Sequence, residues 1–315
     1  MTRFLAKRIL IALVQIFVVS VLVFSLTRIM PGDPVILALG TERDIDPAIV
    51  TEMRHTLGLD APVTTQYVKW IAKVVTKFDL GNSIIDQTPV TEYILQRIPR
   101  TIELAIAAIT IALALGVIFG LIAALKRQTP VDLITTSAAA FGISLPAYVL
   151  GTLMVIVFSL NLNWLPASGF VEITEDGMKH FTHLLLPAVA IALGLAASIA
   201  RQTRSSVLEV LNKEFVQTVR AKGLPERQVI FKHVFRNALI PIVTIVGLQL
   251  GNLIGGTVLI EYLFNWPGLS TLLVNSISQR DYPIIQGCIL VVSTFYITIN
   301  MAVDVIYGIL DPRVR

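Results

Sequence analysis

The sequence predicts an all-α integral membrane protein with six transmembrane helices and both termini in the cytoplasm. Three observations predict it. Of 315 residues, 55% are hydrophobic and only 15% charged, and mean hydropathy is +0.76. An ordinary soluble domain carries about 25% charge, so these charges are too few to solvate a soluble enzyme, and the apolar content excludes disorder. Six stretches have the length and apolar content of a membrane-crossing helix, about 17–25 residues. Threading the chain through them leaves most basic residues on one side.

The first stretch runs from Ile9 to Ile29 behind Arg3, Lys7 and Arg8. Its apolar run exceeds the roughly 7–15 residues of a secretory leader, and no small-residue cleavage site follows, so it reads as a retained helix. The second spans Leu104–Leu125. The third, Leu133–Leu160, is long and holds Pro146, which predicts a kink or break there. The fourth, fifth and sixth are Leu184–Ala200, Ala238–Ile260 and Pro283–Val303. With the N-terminus inside, segments 1–8, 126–132, 201–237 and 304–315 are cytoplasmic. They hold 15 of the 25 basic but only 6 of the 21 acidic residues. The expected organisation is an N-terminal helix (1–29), an extracytoplasmic region (30–103), a five-helix core (104–310) and a cytoplasmic tail (311–315). The extracytoplasmic region has helical patterning at Pro47–Leu57 and Pro62–Lys77, and the core carries a charged cytoplasmic loop, 201–237.

Small residues let helices approach closely in lipid. The second span has Ala108, Ala112, Gly116, Gly120 and Ala124; the fourth has Ala188, Ala192, Ala196 and Ala200; the fifth has Gly247, Gly251 and Gly255. Each stripe either packs against a neighbouring helix or lines a passage. Ser144, Gln249, Asn252, Asn300 and Asp304 are polar within or near spans, so they serve either interhelical hydrogen bonds or the wall of a translocation path. The lone Cys288 lies in an apolar run and reads as a buried small residue. His180 and His183 have no third ligand nearby and read as loop or interfacial residues. No metal or catalytic cluster is expected. An ion-coupled carrier would show internal repeats or ionisable groups at unwound helices, and the sequence shows neither.

The loop 201–237 is the densest in charge. Glu214 to Lys222 reads as a short helix with Phe215 and Val219 on one face. Gly223 suits the left-handed position after the helix, and Pro225 stops its continuation. A second helical stretch, Glu226–Asn237, feeds the fifth span. From these residues alone, the short helix either lies on lipid headgroups or projects towards a partner.

The run Thr218-Val219-Arg220-Ala221-Lys222-Gly223, followed by His233-Val234-Phe235-Arg236-Asn237-Ala238-Leu239-Ile240-Pro241, resembles the cytoplasmic loop of ABC importer permeases. More narrowly it is similar to the dipeptide/oligopeptide (peptide, nickel, glutathione) family, in its first-permease (B-type) branch. The resemblance covers nearly the whole chain. It includes Met30-Pro31-Gly32-Asp33-Pro34, Leu57-Gly58-Leu59-Asp60, Asp79-Leu80-Gly81-Asn82-Ser83 and Gly142-Ile143-Ser144-Leu145-Pro146. Further along come Phe264-Asn265-Trp266-Pro267-Gly268-Leu269, Arg280-Asp281-Tyr282-Pro283 and Asp311-Pro312-Arg313. The general importer loop has Glu-Ala-Ala three residues before its glycine. This chain has Gln217-Thr218-Val219 there, which leaves open whether Glu214 supplies the acid.

The resemblance implies a type I importer permease fold in a bacterial cytoplasmic (inner) membrane. It implies a non-catalytic subunit: the sequence has no phosphate-binding G-x-x-x-x-G-K-[ST] run, and ATP and Mg would sit on separate ATPases. The implied partners are a paralogous second permease, two cytoplasmic ABC ATPases and an extracytoplasmic binding protein. The implied cargo is a short peptide, with glutathione or a nickel chelate as alternatives. Glu214, Phe215, Thr218, Val219, Arg220, Ala221, Lys222, Gly223 and Leu224 are the implied ATPase-coupling residues; Ser144, Gln249 and Asn252 are the path candidates. Trp266 reads as either a docking aromatic for the binding protein or an anchor at the membrane edge.

Overall fold

The computed structural model describes residues 2–29, 51, 55 and 60–310. The helix expected at 47–57, the motifs at 30–34 and 311–313 and most of the motif at 57–60 lie outside the described residues. So do the side chains of Gly251, Asn252 and Gly255. Apart from one antiparallel bridge between Asn82 and Pro89, the regular structure described is helical. The helices are α1 (Thr2–Ile29), α2 (Val63–Lys77), α3 (Val90–Leu125), α4 (Pro130–Ser144), α5 (Ala147–Met154), α6 (Gly177–Leu211), α7 (Glu214–Ala221), α8 (Glu226–Gln228), α9 (Arg236–Gly256), α10 (Val258–Leu263), α11 (Leu269–Gln279) and α12 (Tyr282–Leu310). Wide π-helical turns extend α5 over Val155–Asn161 and join α8 to α9 over Val229–Phe235.

Among the described residues, five helical stretches are long and apolar enough to cross a membrane, and the pair α4–α5 makes a sixth if counted as one span. That pair is bent by 103° at the expected place. Leu145 is extended (φ −92°, ψ 127°) because the ring of Pro146 disfavours a helical residue before it. α3 starts at Val90, well before the apolar run at Leu104. Its first turns carry Glu92, Gln96, Arg97 and Arg100, so a search for apolar residues passes over them.

Contacts divide the chain into two units. One comprises 102–266 and 299 onward; the other comprises 2–101 and 267–298. In the first, α6 is the axis. Asp176 caps it by accepting hydrogen bonds from the Met178 and Lys179 amides at 3.1 and 3.0 Å. The alanine stripe of α6 meets the stripe of α3: Ala112, Ala192, Ala196 and Ile199 form one buried cluster. A Cβ on Gly116 would lie 2.7 Å from Ile199, and one on Gly120 would lie 2.5 Å from the Ala200 carbonyl oxygen. These two stripes are therefore packing surfaces. In the fifth span, Gly247 likewise leaves room for Val303 of α12, 2.5 Å from where a Cβ would sit.

Gly120→Ala is expected to lower stability by about 1–3 kcal/mol, the usual cost of forcing extra volume into a packed interior. Gly177→Ala, which faces open space, is the control. Thermal unfolding in detergent reads both.

Two sequence expectations fail in this unit. Trp266 is fully buried, so it is neither a docking aromatic nor a membrane-edge anchor. Its ring meets Phe170 edge-on at 4.8 Å and lies 5.9 Å from His180. His180 is not a loop residue; it sits buried in the first turns of α6. Its Nδ1 is 2.7 Å from the Val171 carbonyl oxygen and its Nε2 2.7 Å from Glu103. The segment between α5 and α6, which carries Phe170 and Val171, folds onto the indole and His180, which no periodicity announces.

In the second unit, Ser20 of α1 bonds Tyr67 of α2 at 2.8 Å, and Phe24 packs against Tyr67 and Trp70. Leu80, Val90, Ile94, Leu272, Ile284 and Cys288 share a core, so the lone cysteine is the buried small residue expected. Two of the distant motifs meet here. The Ser83 hydroxyl donates to Asp281, and the intervening tight turn is set by Gly81 at φ +89° with its amide on Asp79.

Candidate functional site

The segment joining α6 to α9 holds the residues singled out for coupling. Asn212 and Lys213 are the only residues between α6 and α7, so α7 is carried directly on the end of α6. Glu214 stands exposed in the first turn, where a carboxylate favours the helix dipole. Val216 is fully buried against Val207 and Val210 of α6 and Val229 and Val234 of the π turn, with Val219 and Leu224 alongside. Phe215 and Val219, four apart on one face, differ in exposure: Phe215 is 37% exposed and Val219 is half-buried. Positions three and four apart both neighbour one another on a helix. Only the direction of the core decided that Val216 is the fully buried residue of this helix.

The rest of the helix is open to solvent at Glu214, Phe215, Gln217, Thr218, Arg220, Ala221 and Lys222. It ends at Gly223, which adopts φ +76° and donates its amide to the Arg220 carbonyl at 2.9 Å. Pro225, at φ −62°, then opens α8. Arg220 is turned across this corner. Its Nη2 lies 2.6 Å and its Nε 3.2 Å from the two oxygens of Glu226. The Glu226 carboxylate beside it pushes the Arg220 guanidinium above its ordinary pKa. Both side chains are about half exposed, so the pair contributes at most about 1 kcal/mol. Its use is geometric: it closes the corner around Gly223. Glu226 escapes a reading by helical spacing because a turn separates it from Arg220.

The path candidates are not joined by any described hydrogen bond. Ser144 is exposed and donates to Ala140 in its own helix at 2.9 Å. Gln249 of α9 donates to Ser198 of α6 at 3.2 Å, an interhelical bond. The side chain of Asn252 lies outside the described residues.

Residues 116–315 match the family described as binding-protein-dependent transport system inner membrane component, and residues 1–105 match its N-terminal family. The chain is 38% identical to a di/tripeptide transport system permease protein of Pseudomonas aeruginosa, covering 100% of this chain and 99% of that one. It is 41% identical to a glutathione transport system permease protein of Escherichia coli with the same coverage. Among solved structures, an amino acid ABC transporter shares the fold with a TM-score of 0.51 at 14% identity, over 71% of this chain and 94% of that one. Five or six apolar helical spans among the described residues, with the family models matched over residues 1–105 and 116–315, make this chain a member of the multi-pass inner membrane permeases of binding-protein-dependent ABC importers.

Proposed function

We propose that the chain is one permease subunit of an ATP-driven importer of short peptides, with α7 as the helix that receives force from a separate ATPase. The single observation carrying the coupling role is the two-sidedness of α7. One face is sunk in the valine core, and the other stays open and ends at a glycine corner. A helix held this way transmits a push without bending. The machine would comprise this chain, a paralogous permease, two ATPases holding ATP and Mg, and an extracytoplasmic binding protein. Both termini and α7 would lie in the cytoplasm, as the sidedness of lysine and arginine supports. Neither catalysis nor a bound cofactor is assigned to this chain.

Relatives named for di- and tripeptides and for glutathione support a peptide cargo. Glutathione is itself a tripeptide and is the second reading, favoured by the 41% identity to its permease. Competing uptake of labelled dipeptide and labelled glutathione by the reconstituted transporter separates them.

The coupling role is tested by Thr218→Cys on the open face. We expect it to cross-link to a cysteine-bearing ATPase in the assembled complex, whereas a cysteine at buried Val216 does not. Absence of cross-linking from Thr218, Ala221 and Lys222 alike would reject α7 as the docking helix.

A further inference from the structure

We propose that the Asp132–Arg204 ion pair is a strut that makes α4, the first arm of the broken span, move as one body with α6 and α7. The proposal rests on the coupling role of α7. Arg204 lies on α6, about 10 Å before the end of that helix at Leu211 at 1.5 Å per residue, and α7 follows after two residues. It grips Asp132 at the start of α4 with both prongs, Nε to Oδ1 at 2.7 Å and Nη2 to Oδ2 at 2.9 Å. The Asp132 side chain is only 9% exposed. It also accepts the Gln128 amide at 3.0 Å and the Thr136 hydroxyl at 3.3 Å, which ties the α3–α4 turn to the same point.

Elsewhere α4 meets α6 through small apolar side chains. Gly142 faces Ala197, and a cavity of about 390 Å³ opens among Leu115, Phe119, Ala138, Leu193 and Ala197. Contacts between small apolar side chains are individually weak and carry no direction. Among the described residues, the Asp132–Arg204 pair is the polar link between these two helices. A forked guanidinium on a carboxylate fixes orientation as well as distance. Force delivered to α7 passes through the valine core to α6, and the strut hands it to α4 and so to the bend at Pro146.

The experiment measures ATP hydrolysed per tritiated alanyl-alanine imported, using proteoliposomes that hold the complete transporter. D132N is expected to raise this ratio about tenfold, the scale of a typical coupling between sites. R204K keeps the charge but loses the fork, and should raise it less. A purely structural role would lower hydrolysis and import together and leave the ratio unmoved; a ratio within about twofold of wild type for both variants, on that same scale, overturns the strut. A second measurement does not depend on those variants folding. Spin labels at exposed Ser137 and Gln217 should keep their separation between nucleotide-free and ATP-trapped states. A change of about one helical turn, 5.4 Å, overturns the proposal. If that separation holds but Thr218→Cys fails to reach the ATPase, the coupling role of α7 fails and the strut stands.

Discussion

Gly223→Pro is expected to abolish transport while the chain still inserts in the membrane. Gly223 holds φ +76°, a left-handed conformation that a pyrrolidine ring, locked near −65°, cannot adopt. Proline also removes the amide that bonds Arg220 at 2.9 Å. The corner must therefore open, separating Arg220 from Glu226 and freeing the end of α7. The spans are untouched, so membrane content should match wild type. Gly223→Ala is the informative contrast. No atom lies within 4 Å of its Cβ position, so only the backbone conformation is penalised, by about 1–2 kcal/mol. It should reduce uptake without eliminating it. Uptake of labelled dipeptide, normalised to inserted protein, measures both. Normal uptake by Gly223→Pro would show that the corner has no part in coupling.

Trp266→Ala should lower stability by about 3–5 kcal/mol, the cost of truncating a large buried aromatic. The indole is fully buried, with Phe170 edge-on at 4.8 Å and Leu104, Ile109, Leu186 and Ile260 in the same core. Its loss leaves a cavity directly beside His180, which joins α6 to Glu103 of α3. Trp266→Phe retains a ring and should cost less. Thermal unfolding of the purified protein in detergent reads the difference. If Trp266→Ala unfolds with the wild type, the indole is not the centre of that core.

Much of the fold was legible because lipid imposes a simple rule. Backbone groups in hydrocarbon must bond within the segment, so apolar runs become helices and their count follows from composition. The break at Pro146, the short helix at Glu214 and the left-handed Gly223 were legible for a local reason, since proline and glycine act on their own dihedral angles. The stripe on α3 left open whether it packs or lines a passage, and which helix would cover it. Helical periodicity names a face, not the neighbour that covers it. The inward turn of Val216 and the burial of His180 and Trp266 were illegible for the same reason.

The sequence by itself determined the apolar stretches that make five or six candidate membrane spans, the position of the charged loop along the chain and which residues end the short helix. These follow from local preferences and from the solvent the residues can tolerate. Only the tertiary structure decided that Arg220 clamps Glu226, that Ser83 meets Asp281 and that Arg204 grips Asp132. Each pair joins residues that no helical period relates. Their meeting depends on how the helices pack, a property of the assembled fold rather than of any one segment.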